Sequence, residues 1–191
     1  MDKIADLSLF ESISNGTQSS VSVFNLAPEK HGNLVIRRIQ PREVRQMAEI
    51  RKTCFGDWGD RDSFIKRSKK DRPWNSTVVG AFDGGKMVGY VDIRPAGNED
   101  WPHADQRWAA AAVLPEYRGR GLQRILHDYA IRLLSKNTKS IGTVINPDNK
   151  YSYDNALRLG YEMQKKGLFR DGEDGPALDL LVKRLGNEKA R

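Results

Sequence analysis

The sequence predicts a mixed α/β domain, one sheet with helices on its faces. Three observations carry that expectation. Strand and helix patterns alternate with regular punctuation from Asn33 onward. An apolar stretch ends at Pro115 and leads through a short basic, glycine-containing turn straight into an amphipathic helix. Asp83-Gly84-Gly85 separates two strand patterns, as a hairpin turn would.

Taken in order, residues 34–39 read as a strand, and Pro41 suits the first turn of a helix. Val44, Met47, Ala48 and Arg51 then recur at helical spacing, with Cys54 and Phe55 closing that face. A second short helix fits 60–70, ending before Pro73. Strands follow at 77–82 and 87–94, a loop at 95–105, and a strand at 107–113. The helix over 121–135 carries Leu122, Ile125, Leu126, Tyr129 and Leu133 on one face, leaving His127 off it as a surface residue. A strand at 140–145, a helix at 149–159, a strand at 161–169 and a turn at 171–176 precede a last strand, where Leu178, Leu180 and Val182 alternate. The predicted order is β-α-α-β-β-β-α-β-α-β-β.

A chain of 191 residues suits one domain with a substantial core. Residues 1–32 are rich in Ser, Asn and Gly with scattered apolar residues, and read as an extension partly packed and partly mobile. The domain is expected over 33–186, with a short polar tail at 187–191. No apolar run approaches the length that spans a bilayer, and the start does not resemble a secretory signal. Cys54 is the only cysteine, and His31, His103 and His127 are scattered, so no disulfide or metal cluster is expected. A cytoplasmic protein, monomer or homodimer, with no membrane partner fits. The net charge of +7 leaves room for an acidic or nucleic-acid partner as well as for simple solubility. Arg61, Lys66, Arg67, Lys69, Lys70 and Arg72 concentrate that charge around the second predicted helix.

The most informative stretch runs from Ala109 to Gln123. Glycines let backbone N–H groups approach a ligand closely, and a helix start adds unpaired donors and a positive dipole end. Strand, glycine turn and helix together make an anion site suited to a pyrophosphate, with Arg118 and Arg120 adding charge. The spacing fits neither Gly-x-Gly-x-x-Gly nor a Walker loop.

Val113-Leu114-Pro115-Glu116-Tyr117-Arg118-Gly119-Arg120-Gly121-Leu122 resembles the coenzyme A motif of the GNAT N-acetyltransferases, Arg/Gln-x-x-Gly-x-Gly/Ala. Gln123 stands where that motif has Gly or Ala. Asn149-Lys150-Tyr151-Ser152, running on to Leu159-Gly160-Tyr161, is similar to the later family motif. The resemblance spans residues 33–185 and implies acetyl-CoA as co-substrate, without a metal, and direct acetyl transfer to an amine. It implies that backbone groups of Ala111, Val113 and Leu114 hold the pantetheine arm. Arg118, Gly119, Arg120, Gly121, Leu122 and Gln123 are expected to hold the pyrophosphate, and Asn149 and Ser152 to lie beside the arm.

The acid and base are less well marked. The family's usual acid, a Tyr seven residues after the motif Asn, is Ala156 here. The nearby phenols are Tyr151 and Tyr153, and helical geometry turns both away from the 156 direction. The strand 109–112 is four alanines and offers no carboxylate. That strand reads as tight helix-on-sheet packing or as a widened floor for a bulky acceptor. Candidate catalytic groups are therefore Asp92 acting through water, Glu99 and Asp105 from the 95–106 loop, and Tyr153. The acceptor is open between a small amine, a protein amine and an aminoacyl-tRNA. A non-catalytic coenzyme A-binding or nucleic-acid- or protein-binding member of the fold, and transfer of a longer acyl chain, are the alternatives.

Overall fold

The computed structural model describes residues 26–56, 76–96, 103–170 and 176–186. Residues 1–25 of the predicted extension, the second predicted helix with its basic cluster, residues 171–175 of the predicted turn, the 187–191 tail, and Glu99 of the predicted loop lie outside them. The elements are β1 Glu29–His31, β2 Leu34–Arg38, α1 Val44–Phe55, β3 Thr77–Asp83, β4 Lys86–Pro95, β5 Gln106–Val113, α2 Leu122–Leu133, β6 Ser140–Ile145, α3 Lys150–Arg158, β7 Glu162–Arg170 and β8 Ala177–Arg184. The strands form one sheet in the order β1-β2-β3-β4-β5-β6-β8-β7. All neighbours are antiparallel except β5 and β6.

Local chemistry explains the sharper turns. Gly84 and Gly85 both take positive φ, which closes the two-residue hairpin between Asp83 and Lys86. Arg37 clamps both carboxylate oxygens of Glu43, and Glu43 Oε2 also accepts the Gln40 N–H at 2.7 Å. That junction turns the chain from β2 through a short 3-10 turn at Pro41–Glu43 into α1.

The sheet's two faces carry different helices. Trp108 on β5 is the register partner of Ile93 and meets His127 of α2 edge-on at 5.0 Å, so both face α2. Tyr90, three residues before Ile93, faces the other way, against Arg51 and Cys54 of α1. The α2 face holds the main core, with Val91, Ile93, Leu126, Ala130, Ile141 and Leu181 fully or nearly fully buried.

The sheet takes in Glu29–His31, inside the segment read as a partly packed extension, because β1 pairs with β2 over three residues. Tyr129 donates to both Leu26 O and Ala27 O, and Arg132 pairs with Glu29. His127, read as a surface residue, is wholly buried. Its Nε2 shares a 2.8 Å hydrogen bond with the Tyr161 hydroxyl, and Trp108, His127 and Tyr161 form one aromatic cluster. Its two ring nitrogens disguised it: this imidazole meets both rings edge-on and spans the interior from α2 to the start of β7.

A chain beginning at Asn33 loses β1 and both acceptors of Tyr129. Its thermal midpoint should fall relative to a chain beginning at Leu26, by the equivalent of about 1–3 kcal/mol. Tyr129→Phe should destabilise the longer chain and leave the shorter one unchanged in a thermal melt.

Burial pushes the His127 pKa down to about 3, and nearby Lys183 adds to the effect. Unfolded, the imidazole titrates near ~6.5 and takes up a proton that the folded state refuses. Its contribution is therefore fully present above pH ~6.5 and is lost as pH falls toward ~3, by about 2 kcal/mol at pH 5. Melts of wild type and His127→Gln at pH 7 and pH 5 should show the steeper acid loss in wild type.

Candidate active site

Neighbouring strands β5 and β6 pair at only two positions, Gln106↔Ile141 and Arg107↔Gly142, and then part. The register explains the parting. Asp92 faces Ala110 and Ile93 faces Trp108, so Ala109 is an extra residue on β5. A bulge of this kind bends its strand and reverses the facing of the residues beyond it. Just past the last backbone pair, the Thr143 hydroxyl donates to Trp108 O at 3.2 Å and holds the point of divergence. Asp105 braces the closed end. Its Oδ2 accepts the N–H groups of Lys139 and Ser140 at 2.6 and 3.0 Å. Its Oδ2 is thus committed where the strands still pair.

Beyond the divergence a cleft of about 490 Å³ opens. Trp108 to Ala111 line one side and Thr143 to Asn146 the other, with Arg51 and Phe55 of α1, Gln123 of α2, and Asn149 and Ser152 around α3. Sequence reasoning missed Arg51, Phe55, Trp108, Thr143 and Asn146 as cleft residues. Phe55 was expected to close an apolar helix face, yet it is 41% exposed, with the Arg51 guanidinium 5.6 Å from its ring.

The ladder phase decides which β5 backbone groups face the gap. Leu114 N–H donates to Val88 O. Antiparallel alternation then turns the N–H and C=O of Ala111 and Val113 away from β4 and toward the gap. The Leu114 amide, expected to meet the pantetheine arm, is spent inside the sheet. Val113 O receives Arg118 Nε at 2.9 Å and the Cys54 thiol at 3.4 Å, so the Val113 N–H is the group left facing the gap.

At the turn before α2, Arg118 N–H donates to Pro115 O, and backbone bonding resumes only with Arg124 and Ile125 donating to Gly121 O. Among the described residues, the five N–H groups from Gly119 to Gln123 therefore have no backbone acceptor. Gly119 and Gly121 take φ of 76° and 69°, and a Cβ at either would meet nothing within 4 Å. This is an open nest of donors at a helix start, with the geometry of an anion site. The Arg118 guanidinium is tied to the end of β5, and its Nη2 lies 3.7 Å from Cys54 Sγ.

Asn149 is the N-cap of α3, its Oδ1 accepting Ser152 N–H at 3.2 Å. Both residues line the cleft. Tyr153 is aimed elsewhere. Its hydroxyl reaches Asp179 Oδ2 on β8 at 3.4 Å, and burial together with that carboxylate raises its pKa. Ala156 is fully buried. Asp92 shares the α1 face with Tyr90 and lies opposite Ala110, a cleft residue. Its side chain is 2% exposed. Arg94 Nε and Nη2 both donate to Oδ2, at 3.0 and 2.8 Å, while the buried Oδ1 has no hydrogen-bond partner among the described residues.

The model of the Acetyltransferase (GNAT) family matches residues 44–161. No curated protein matches the sequence. A GNAT-family acetyltransferase from Streptococcus pneumoniae is similar in structure at 17% identity and a TM-score of 0.61, covering 80% of this chain and 99% of its own. The ribosomal-protein-S18-alanine N-acetyltransferase of Escherichia coli is similar at 12% identity and a TM-score of 0.62, covering 80% of this chain and 94% of its own. A phosphinothricin acetyltransferase from Sinorhizobium meliloti, solved with acetyl-CoA, is similar at 18% identity and a TM-score of 0.61, covering 81% and 89%. At such identities the structures establish the fold.

The nest yields a direct test. Gly121→Asp places a carboxylate beside the free donors, and Gly121→Ala imposes a comparable positive-φ strain, about 1 kcal/mol, without charge. Calorimetry with coenzyme A should register at least a hundredfold weaker binding for the Asp variant and less than tenfold for the Ala variant, both remaining folded.

Proposed function

The chain belongs to the GNAT family of acetyltransferases, and on that premise we propose that it binds acetyl-CoA in the β5–β6 cleft and passes the acetyl group to an amine. The observation that carries this reading is the loss of β5–β6 pairing after two residues, next to five N–H groups without backbone acceptors. The residues fit such a co-substrate. The Gly119–Gln123 nest suits a diphosphate, and the inward backbone of Ala111 and Val113 suits the amides of an extended arm. Asn149, through its cap, fixes the α3 wall. Acetyl-CoA would supply an activated thioester carbonyl there.

Chain residues do the rest. A backbone N–H on β5 facing the gap supplies a donor for the developing oxyanion, Ala111 being the better placed because it lines the cleft and follows Ala110, the register partner of Asp92. An alkylammonium must lose a proton before it can attack. Asp92 Oδ1 is the acceptor we assign to that proton. It is buried, has no hydrogen-bond partner among the described residues, and belongs to a residue paired in register with Ala110, which lines the cleft. A water carries the proton across, and the second proton, shed by the nitrogen as the amide forms and the thioester C–S bond breaks, leaves on the coenzyme A thiol. Arg94 keeps Oδ2 occupied, so the carboxylate presents one oxygen only.

The amine itself can be a small molecule, a protein amine or an aminoacyl-tRNA. The Escherichia coli relative named for a ribosomal-protein alanine favours including protein N-termini in the panel. Free coenzyme A released during turnover with small amines, N-terminal peptides and aminoacyl-tRNA tests the reaction. Cofactor binding without release on every amine would overturn it in favour of a binding protein.

Asp92→Asn should lower kcat by about a hundredfold or more at neutral pH. Its coenzyme A affinity should stay within about twofold of wild type, because Asp92 does not line the cleft. Turnover should recover as pH rises and the amine loses its own proton. An unchanged kcat would remove Asp92 from the mechanism.

A further inference from the structure

Gln123 fills the position where the family motif carries Gly or Ala, and its side chain has a definite partner. Gln123 lies at the second position of α2 and lines the cleft. Its Oε1 accepts a hydrogen bond from Asn155 Nδ2 at 3.1 Å. Asn155 is on α3, three residues past Ser152, and Ser152 and Asn149 line the same cleft. The two amides therefore link the helices on either side of the cofactor path.

A carboxamide has a donor end and an acceptor end. With Asn155 donating to Oε1, the Gln123 Nε2 is the end free to give hydrogen bonds. It stands on the first turn of α2, beside the row of backbone donors from Gly119 to Gln123. The reverse orientation would aim a carbonyl lone pair at whatever anion that row attracts.

We infer that Asn155 is a positioning residue, holding Gln123 by its oxygen so that Nε2 donates to the diphosphate of bound coenzyme A. This rests on the proposed cofactor site and adds to it a side-chain donor in place of the small residue at that position. Asn155 never touches the cofactor, so its contribution passes entirely through Gln123.

Coenzyme A affinity is measured by calorimetry for wild type, Asn155→Ala, Gln123→Ala, the double variant and Gln123→Glu. Either alanine variant should weaken binding about ten- to a hundredfold, the scale of one hydrogen bond to a charged acceptor. The double variant should be no weaker than Gln123→Ala alone, as expected when Asn155 acts only through Gln123. Gln123→Glu keeps an oxygen for Asn155 but turns the free end into an anion, and should bind more weakly than Gln123→Ala. With acetyl-pantetheine, which lacks the diphosphate, KM should be the same for wild type and all four variants. Wild-type affinity in Asn155→Ala, or additive losses in the double variant, would overturn the inference while leaving the Gly121→Asp result and the cofactor reading intact. Undiminished binding by Gly121→Asp would bring down both.

Discussion

One extra residue organises this molecule. At Ala109 strand β5 carries one residue more than β4 can pair, and the ladder resumes with Trp108 against Ile93. The resulting bend ends pairing with β6 two residues in, and backbone groups that a continuous sheet would consume are left facing a cleft. Such groups are costly to bury without partners, so a divergence of this kind persists only where something else meets them.

The surrounding structure holds the divergence open at a fixed angle. On the α2 side, Trp108 packs on His127 and Tyr161, and the buried His127–Tyr161 bond ties α2 to the start of β7. At the point of parting, Thr143 holds the Trp108 carbonyl. At the closed end Asp105 bonds the first amides of β6. At the far end Arg118 and Cys54 meet at Val113 O and fasten the glycine turn to the strand that leads into it. Four local constraints on one strand set the width of the cleft before any ligand arrives, which is how a site is made rigid at low reorganisation cost.

The two sides of the cleft divide the chemical work. The end toward α2 is built from backbone donors and a helix start, and so favours negative charge without depending on a particular side chain. The face toward α1 is built from side chains: Asp92 held by Arg94, Arg51 over Phe55, and a floor of small alanines. Ala110 and Ala111 line the cleft while Ala112 packs in the core, so the alanine run serves both packing and an open floor.

Much of this was legible in the sequence because it is local. Hydrophobic period, the Gly84-Gly85 turn and the glycines before α2 act over a few residues, and each lies where its pattern indicated. The glycine nest was legible for the same reason: positive φ and unpaired helix-start amides are properties of a short segment. Tertiary structure alone decided the rest, since each such fact joins residues far apart in the chain. His127 proved buried because Tyr161 and Trp108 enclose it, 34 residues away in the first case. Asp105 became a brace and Tyr153 a partner of Asp179 through contacts across 34 and 26 residues. Asp92 retained its candidacy because Arg94 bonds only one of its oxygens and β5 sets an alanine opposite it. A sequence states what a side chain can donate or accept, and the fold determines which of those bonds are already made.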